Sequence, residues 1–339
     1  MNWINAIVQG VMLGGVYALF ACGLSLMFGV MRTVNLSHGD LAVLGAFLVA
    51  VLAAAVGISP FFAVLLVLPV MGLVGVALQR GILSKALRTG GMSSMLATFG
   101  LAIVLQNVLL EIFSADSRSL EVGSLSTAGL QLGSSVSIPY LGVLTVVVAV
   151  ALLGGLQLLL ARTGIGRAIR ATAADADTAE LVGIDSRRVY AWAAAIAVAT
   201  AGLAGAFFAM RSSFSPSMGP TQLLFAFEVV VIGGLGSLWG TLVGGMVLGV
   251  AQTVGAQVDP RFSIIAGHAV FLAVLAFRPQ GLLGMRRSRT WPPHHRWPPL
   301  PPPPPRPSTD RLPSPVRRRL PWPPCCSSWH SRPWSSRPR

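Results

Sequence analysis

The sequence predicts an all-α protein, a polytopic transmembrane helix bundle with about eight hydrophobic segments and a disordered C-terminal tail. Three observations support this fold class. Of the 339 residues, 53% are hydrophobic and only 11% are charged, whereas soluble domains average about 25% charged residues. The apolar residues form long uncharged runs, and one run is broken by closely spaced glycines.

The first five spans follow from where these runs begin and end. Residues 1–31 carry no charged side chain, and because a cleavable signal needs a cationic start, we expect a retained span. Residues 41–79 are uncharged and, at about 20 residues per crossing, long enough for two spans with a turn at 57–60. Two more are predicted over 89–110 and 139–161.

A sixth span is predicted over 189–210, and a short last span over 262–277. Between them, residues 229–258 are uncharged but contain Gly233, Gly234 and Gly236. Glycine inside a helix costs about 1 kcal/mol relative to alanine, so this segment is predicted to bend or break there.

The short loops predict the orientation. Residues 80–88 hold three cations and no acid, whereas residues 111–138 hold one Arg and three acids. By the positive-inside rule, the first loop and the charged segment 162–188 are cytoplasmic, and the N-terminus is external. If residues 229–258 cross the membrane once, the C-terminal end of the chain is external. We favour entry, a turn at the glycines and exit, which makes that end cytoplasmic.

A domain boundary is predicted between residues 1–285, the membrane domain, and residues 286–339, the tail. The tail holds 17 of the 24 prolines, and its 12 Arg against the single acid Asp310 supply +11 of the total +14. This switch in composition is typical of out-of-frame translation. A polyproline ligand with lipid-binding arginines is the other interpretation. Neither indicates a nucleic-acid-binding domain.

Reactive chemistry is sparse. No G-x-x-x-x-G-K-S/T, H-E-x-x-H or C-x-x-C pattern occurs, so we predict no nucleotide site, no metal, no cofactor and no catalytic residue. His38 and His268 lie far apart in sequence, and each is expected to be a structural hydrogen-bonding group.

Two polar stretches and one acid remain as candidates. Asn35, His38 and Asp40 follow the first span, where they can hydrogen-bond across helices, cap the next helix or line a pathway. Residues 173–182 predict a short exposed helix ended by Gly183 in the left-handed conformation, either a solvated connector or a docking surface. Glu228 borders the glycine-broken segment and lies either against a cavity or at the external interface.

Four stretches resemble the permeases of branched-chain amino acid ABC transporters. They are "GGVYALFACGLSLMFGVMRTVNLSHGD", "GRAIRATAADADTAELVGIDSRRV", "VVVIGGLGSLWGTLVGGMVLGV" and "RPQGLLG", in that order. The chain is most similar to the first of the two paired permease subunits. Members usually have an aromatic residue and then Ala where this chain has Leu36 and Ser37.

The resemblance implies an ATP-driven importer in the bacterial inner membrane that works by alternating access. Its partners would be two ABC ATPase subunits, a second homologous permease, an extracytoplasmic substrate-binding protein and membrane lipid. The cytoplasmic segment would carry the ATPase-coupling residues, which are Ala173, Asp177, Glu180, Leu181, Gly183 and Asp185. The pathway or gating candidates are Asn35, His38, Asp40, Glu228, Gly233, Gly234 and Gly236.

The sequence is also compatible with other functions. A permease for urea or short amides would use closely similar subunits. An ion-coupled secondary transporter would need acids at the membrane midplane, where only Asp40 and Glu228 could serve. A membrane enzyme would need convergent reactive groups, which the sequence does not suggest.

Overall fold

A computed structural model describes residues 3–125, 128–132 and 136–283; the tail predicted over 286–339 lies outside this range. The described part is a helical bundle. Its helices are α1 Trp3–Met31, α2 His38–Val56, α3 Pro60–Leu78, α4 Ser84–Thr89, α5 Gly91–Phe113, α6 Tyr140–Arg162, α7 Gly164–Ala174, α8 Ala176–Leu181, α9 Ser186–Arg211, α10 Gly219–Gly233, α11 Leu238–Val258 and α12 Phe262–Phe277.

Within the described residues, seven helices are long and apolar enough to cross a membrane: α1, α2, α3 with its continuation through α4, α5, α6, α9 and α11. The apolar α12 is shorter, with 16 residues. The eight predicted hydrophobic segments are therefore confirmed. A short hairpin of β1 Gly129–Leu132 and β2 Val136–Pro139 adds strand structure that the all-α prediction did not include.

Burial separates central helices from peripheral ones. Most of α1 and α9 is buried within the bundle, whereas most of α5 and α6 is exposed. The exposed side chains of the outer helices are largely apolar, as with Leu65, Leu96 and Val147. This is the surface expected to face lipid, because a bilayer core solvates apolar side chains as well as a protein interior does.

Close helix packing rests on glycine. A methyl group on Gly14 would lie 2.6 Å from the Gly245 carbonyl oxygen, and one on Gly10 would lie 2.5 Å from Val250 Cα. The backbones of α1 and α11 can therefore approach only because these positions lack side chains. Small residues at these positions act here in packing inside one bundle.

The glycine-broken segment is a helical hairpin. Its arms α10 and α11 run antiparallel, since a methyl group on Gly233 would meet Gly240 and one on Gly244 would meet Val229. Gly234 and Gly236 have φ of 106° and 80°, which permits the sharp turn. The predicted turn at the glycines, with a helix on each side of it, is therefore confirmed. The first of these helices begins at Gly219, ten residues before the predicted start.

The last described residues of the chain, after α12, contact the glycine turn. After α12 the Leu282 N–H donates to the Ile232 carbonyl (2.7 Å), and the Leu283 N–H donates to the Gly233 carbonyl (3.0 Å). These bonds satisfy carbonyls that the end of α10 leaves free. Because Gly236 also faces Gly29 of α1, the end of the body and the end of α1 lie at the same end of the bundle.

Candidate functional site

The segment after α1 turns back into the bundle. The Asn35 side-chain amide contacts Met27 Sδ at 3.8 Å, and His38 Nε2 lies 3.0 Å from the Phe20 carbonyl oxygen. Residues 32–38 therefore run back along the second half of α1, so α2 begins beside the middle of α1 and not at its end. Non-helical backbone at this depth is tolerated only inside protein or beside a cavity.

Hydrogen bonds hold this segment in place. The Asn35 side-chain oxygen accepts from the Ser37 backbone N–H (3.0 Å) and from the Ser37 hydroxyl (2.7 Å), while the Leu36 N–H donates to Thr98 Oγ1 of α5 (3.1 Å). Since a carbonyl only accepts, His38 Nε2 is the donor to Phe20. Ser37, where the family usually has Ala, thus reinforces the turn at Asn35.

Asp40 lies where two helices begin. It is the third residue of α2, only 2% exposed, and no side-chain bond caps the start of that helix. The predicted cap at Asp40 is therefore wrong, because α2 starts two residues earlier, at His38. The carboxylate packs directly on Gly219, the first residue of α10, where a methyl group would lie 1.9 Å from Asp40 Oδ1.

Glu228 lies inside the bundle and pairs with His268 Nδ1 of α12. It is 1% exposed, so neighbouring helices enclose it, and its position at a cavity or at the external interface stays a prediction. The helix continues past this carboxyl group because a partner from α12 compensates its burial.

Further polar and aromatic groups surround this pair. The Tyr17 hydroxyl donates to Gln252 Oε1 at 2.6 Å, and the Phe225 ring packs against Tyr17 (5.2 Å between centroids) and His268 (6.3 Å). The sequence did not single out Tyr17 or Gln252, and it predicted His268 to be a structural hydrogen-bonding group without identifying Glu228 as its partner. An unpaired acid in an apolar helix was the signal that a partner had to exist elsewhere.

An open cavity of about 850 Å³ lies at the other end of the bundle from the hairpin of β1 and β2. Its walls come from the ends of α1 and α6, from α7 and from the glycine turn, and they include Arg32, Arg170, Gly236 and Trp239. Of the predicted glycines, Gly236 lines this cavity, whereas Gly233 is pressed against Gly240 of the neighbouring helix.

The predicted coupling helix over residues 173–182 is two helices. Asp175 interrupts it, since its carboxylate accepts from the backbone N–H groups of Asp177 (3.1 Å) and Thr178 (3.2 Å) and so caps α8. The bond from the Thr178 hydroxyl, more than any other contact, holds the pKa of Asp175 below its usual value. Ala173 consequently belongs to the end of α7, apart from the other coupling candidates.

Gly183, just after α8, has the conformation that the sequence predicts. Gly183 has φ 86°, the left-handed conformation, and its N–H donates to the Glu180 carbonyl at 3.0 Å. Asp185 caps α9 by accepting from the N–H groups of Arg187 and Arg188. The surrounding segment is rigidly defined by short-range bonds.

Two apolar side chains stand out at the end of α8. Leu181 is 87% exposed and Val182 is 74% exposed. The neighbouring exposed side chains of this helix are acidic, at Asp177 and Glu180. Adjacent exposed apolar side chains rimmed by charges are typical of a surface that contacts another protein.

Membrane-spanning helices that are interrupted at depth by non-helical segments define the class of this molecule, a polytopic membrane transport protein. The family model described as "Branched-chain amino acid transport system / permease component" matches residues 6–277. The chain belongs to this family, as the resemblance implied.

Curated relatives agree with this assignment. The branched-chain amino acid permease BraD of Pseudomonas aeruginosa is 30% identical over 297 residues, covering 84% of this chain and 96% of that protein. LivH of Salmonella typhimurium is 27% identical with the same coverage. LivM of Escherichia coli matches over 130 residues at 32% identity, 38% of this chain and 30% of that protein. Among solved structures, PsaBC from Streptococcus pneumoniae in complex with Fab matches with a TM-score of 0.41 and 14% identity, covering 81% of this chain and 91% of that chain.

Proposed function

We propose that this chain is the non-catalytic permease subunit of an ATP-driven importer of branched-chain amino acids in a bacterial inner membrane. The observation that carries the coupling part of this proposal is the exposed end of α8, formed by Leu181 and Val182. The substrate follows from the relatives, which are named as branched-chain amino acid permeases.

Each proposed partner subunit has a separate role in transport. Two ABC ATPase subunits bind the α8 surface and hydrolyse ATP, a second homologous permease completes the membrane unit, and an extracytoplasmic receptor delivers and selects the substrate. The pathway itself then needs little polarity for an aliphatic amino acid. This fits spans rich in small residues and a lipid-embedded body with few charges.

Movement of α8 has a direct structural route into the bundle. Its neighbour α7 begins against the end of α6, where a methyl group on Gly166 would lie 2.3 Å from the Leu159 carbonyl oxygen. Such a tight contact makes α7 and the end of α6 move together. We propose that ATP-driven displacement of α8 thereby changes the pathway at Asn35, His38, Asp40 and the glycine turn.

A permease for urea or short amides is the less favoured function, since none of the relatives described above is named for such a substrate. An ion-coupled transporter is also less favoured, because the relatives are named as permease proteins of transport systems and Glu228, one of its two candidate acids, is paired with His268. Uptake of leucine, valine and urea measured side by side, with and without ATP depletion, separates these functions.

Gentle affinity purification of the membrane complex tests the proposal. The wild-type chain should recover two ATPase subunits and a second permease. Leu181→Asp should lose the ATPases and keep the second permease, because a carboxylate replaces an exposed apolar contact without disturbing the bundle. The matched control is Val258→Asp at the end of α11, where the side chain is 63% exposed. Unchanged ATPase recovery with Leu181→Asp would contradict docking at α8.

A further inference from the structure

Arg32 has an unusual backbone conformation. Among the described residues with left-handed φ, seven are glycine and only Arg32 (54°) and Ser114 (59°) are not. Arg32 follows the last residue of α1, and its N–H donates to the Phe28 carbonyl at 2.9 Å. Glycine is preferred at this position, and a residue with a side chain costs free energy there. The Arg32 side chain should therefore contribute something that glycine cannot.

The side chain connects α1 to the end of α7. Arg32 Nη2 donates to the Ala173 carbonyl oxygen at 3.3 Å, a contact between residues 141 positions apart. Carbonyls in the last helical turn lack helical partners and carry the negative end of the helix dipole, so a guanidinium is well suited to them. Two residues further on, Asp175 caps α8. Arg32 thus holds the junction of α7 and α8.

On its other side, Arg32, which is itself exposed, begins the segment of residues 32–38, in which every later residue is buried or half-buried. Thr33 and Asn35 are 7% and 3% exposed, so a displacement at Arg32 cannot be absorbed by free movement of the next residues. The cavity of about 850 Å³ lies beside the contact and is lined by Val30 of α1 and Ile169 of α7. Apolar packing between α1 and α7 is therefore incomplete, which leaves the bond from Arg32 as a specific tie between them.

We propose that Arg32 is a positioning residue that transmits movement of the α7–α8 unit to the segment of residues 32–38. This inference rests on the proposed function, because it requires partner subunits that move α8. It adds a specific mechanical link, through one guanidinium, between the docking surface and the Asn35–His38 region.

Arg32→Gly tests this role sharply, because it removes the guanidinium and also relieves the backbone strain. The complete complex in proteoliposomes is assayed for thermal midpoint, ATP hydrolysis and leucine transport. We expect an unchanged or higher midpoint and continued ATP hydrolysis, with leucine moved per ATP reduced about tenfold. Arg32→Lys, which keeps the charge, should retain an intermediate ratio. Ser114→Gly removes the other non-glycine residue with positive φ and should leave the ratio unchanged.

Each outcome decides the inference. A wild-type ratio of leucine to ATP in Arg32→Gly overturns it. A fall in thermal midpoint that accompanies the loss of transport also overturns it, because the role would then be structural. Failure of the wild-type complex to move leucine on ATP addition would overturn the proposed function itself, and this result is recognisable without any variant.

Discussion

The buried carboxyl group of Glu228 shows how a single residue is accommodated at membrane depth. An ionisable side chain at the centre of a bilayer costs about 2.5–3.5 kcal/mol on insertion scales. In this bundle, His268 of α12 compensates that cost for one oxygen, while Glu228 Oε2 has no hydrogen-bond partner among the described residues. The pair therefore ties a peripheral helix to the bundle, and its two members should depend on each other.

The effect of a substitution at Glu228 on stability should depend on whether the new side chain can still accept a hydrogen bond from His268. Glu228→Ala removes the partner of His268, whose side chain is 36% exposed, and should reduce the free energy of unfolding by about 1–3 kcal/mol. Glu228→Gln keeps an oxygen that can accept from His268 Nδ1, so its effect should be much smaller. Thermal or denaturant unfolding in detergent measures both. The double variant Glu228→Ala/His268→Ala should be more stable than Glu228→Ala, and equal stability would contradict the coupling.

Individual residues were predicted well where the signal was local. Gly183 was expected in the left-handed conformation from its place after an Ala-rich run, and its φ of 86° agrees. Asp40 was expected to cap a helix but lies within the first turn. The pairing of Glu228 with His268 joins positions 40 residues apart, and nothing in the sequence near either residue specifies its partner.

Two interruptions of helices, at Asp175 and at the glycine turn, determine how the neighbouring helices are arranged. The run over residues 173–182 is rich in alanine, and propensity alone favours one helix. Asp175 divides it because its side chain bonds to the backbone N–H groups that follow, in competition with helical continuation. The glycine turn after α10 is a second break, and it depends on a segment from beyond α12.

Truncation tests that dependence. Removing everything after Phe277 leaves the Ile232 and Gly233 carbonyls without their partners Leu282 and Leu283, and each buried unpaired group costs about 1–3 kcal/mol. This variant should lose leucine uptake and accumulate less in the membrane. Truncation after Met285 keeps the closing segment and should transport normally, as expected if residues 286–339 have no role. Leucine uptake is normalised to the amount of each variant in the membrane. Loss of uptake by the variant truncated after Met285 would show that residues 286–339 have a function.

For the whole molecule, hydropathy predicts how many helices cross but not how they pack. Both α1 and α6 are strongly apolar, yet α1 is mostly buried and α6 is mostly exposed. Lipid and protein interior accept the same side chains, so apolar periodicity cannot distinguish a central helix from a lipid-facing one. The spacing of Gly10 and Gly14 is compatible with a close helix contact, but only the fold identifies α11 as the partner.

The orientation of the bundle decides whether ATPases can reach α8. The central helix α9 has 26 residues and spans about 39 Å. Its start lies next to α8, whereas its far end adjoins the loop over 111–138 that is predicted to be external, because the Phe214 backbone pairs with Arg118. The loop charges predict that the α8 end is cytoplasmic. Glu180 and Asp116, both exposed, therefore report on opposite faces of the membrane.

Cysteine labelling should show these two faces directly. In a background with Cys22→Ala, Cys325→Ser and Cys326→Ser, the variants Asp116→Cys and Glu180→Cys are treated with a membrane-impermeant maleimide. We expect Asp116→Cys to react in intact spheroplasts and Glu180→Cys to react only after permeabilisation, because the loop cations hold the α8 end in the cytoplasm. The reverse pattern would place α8 where no cytoplasmic ATPase could bind it, and transport would then need another source of energy.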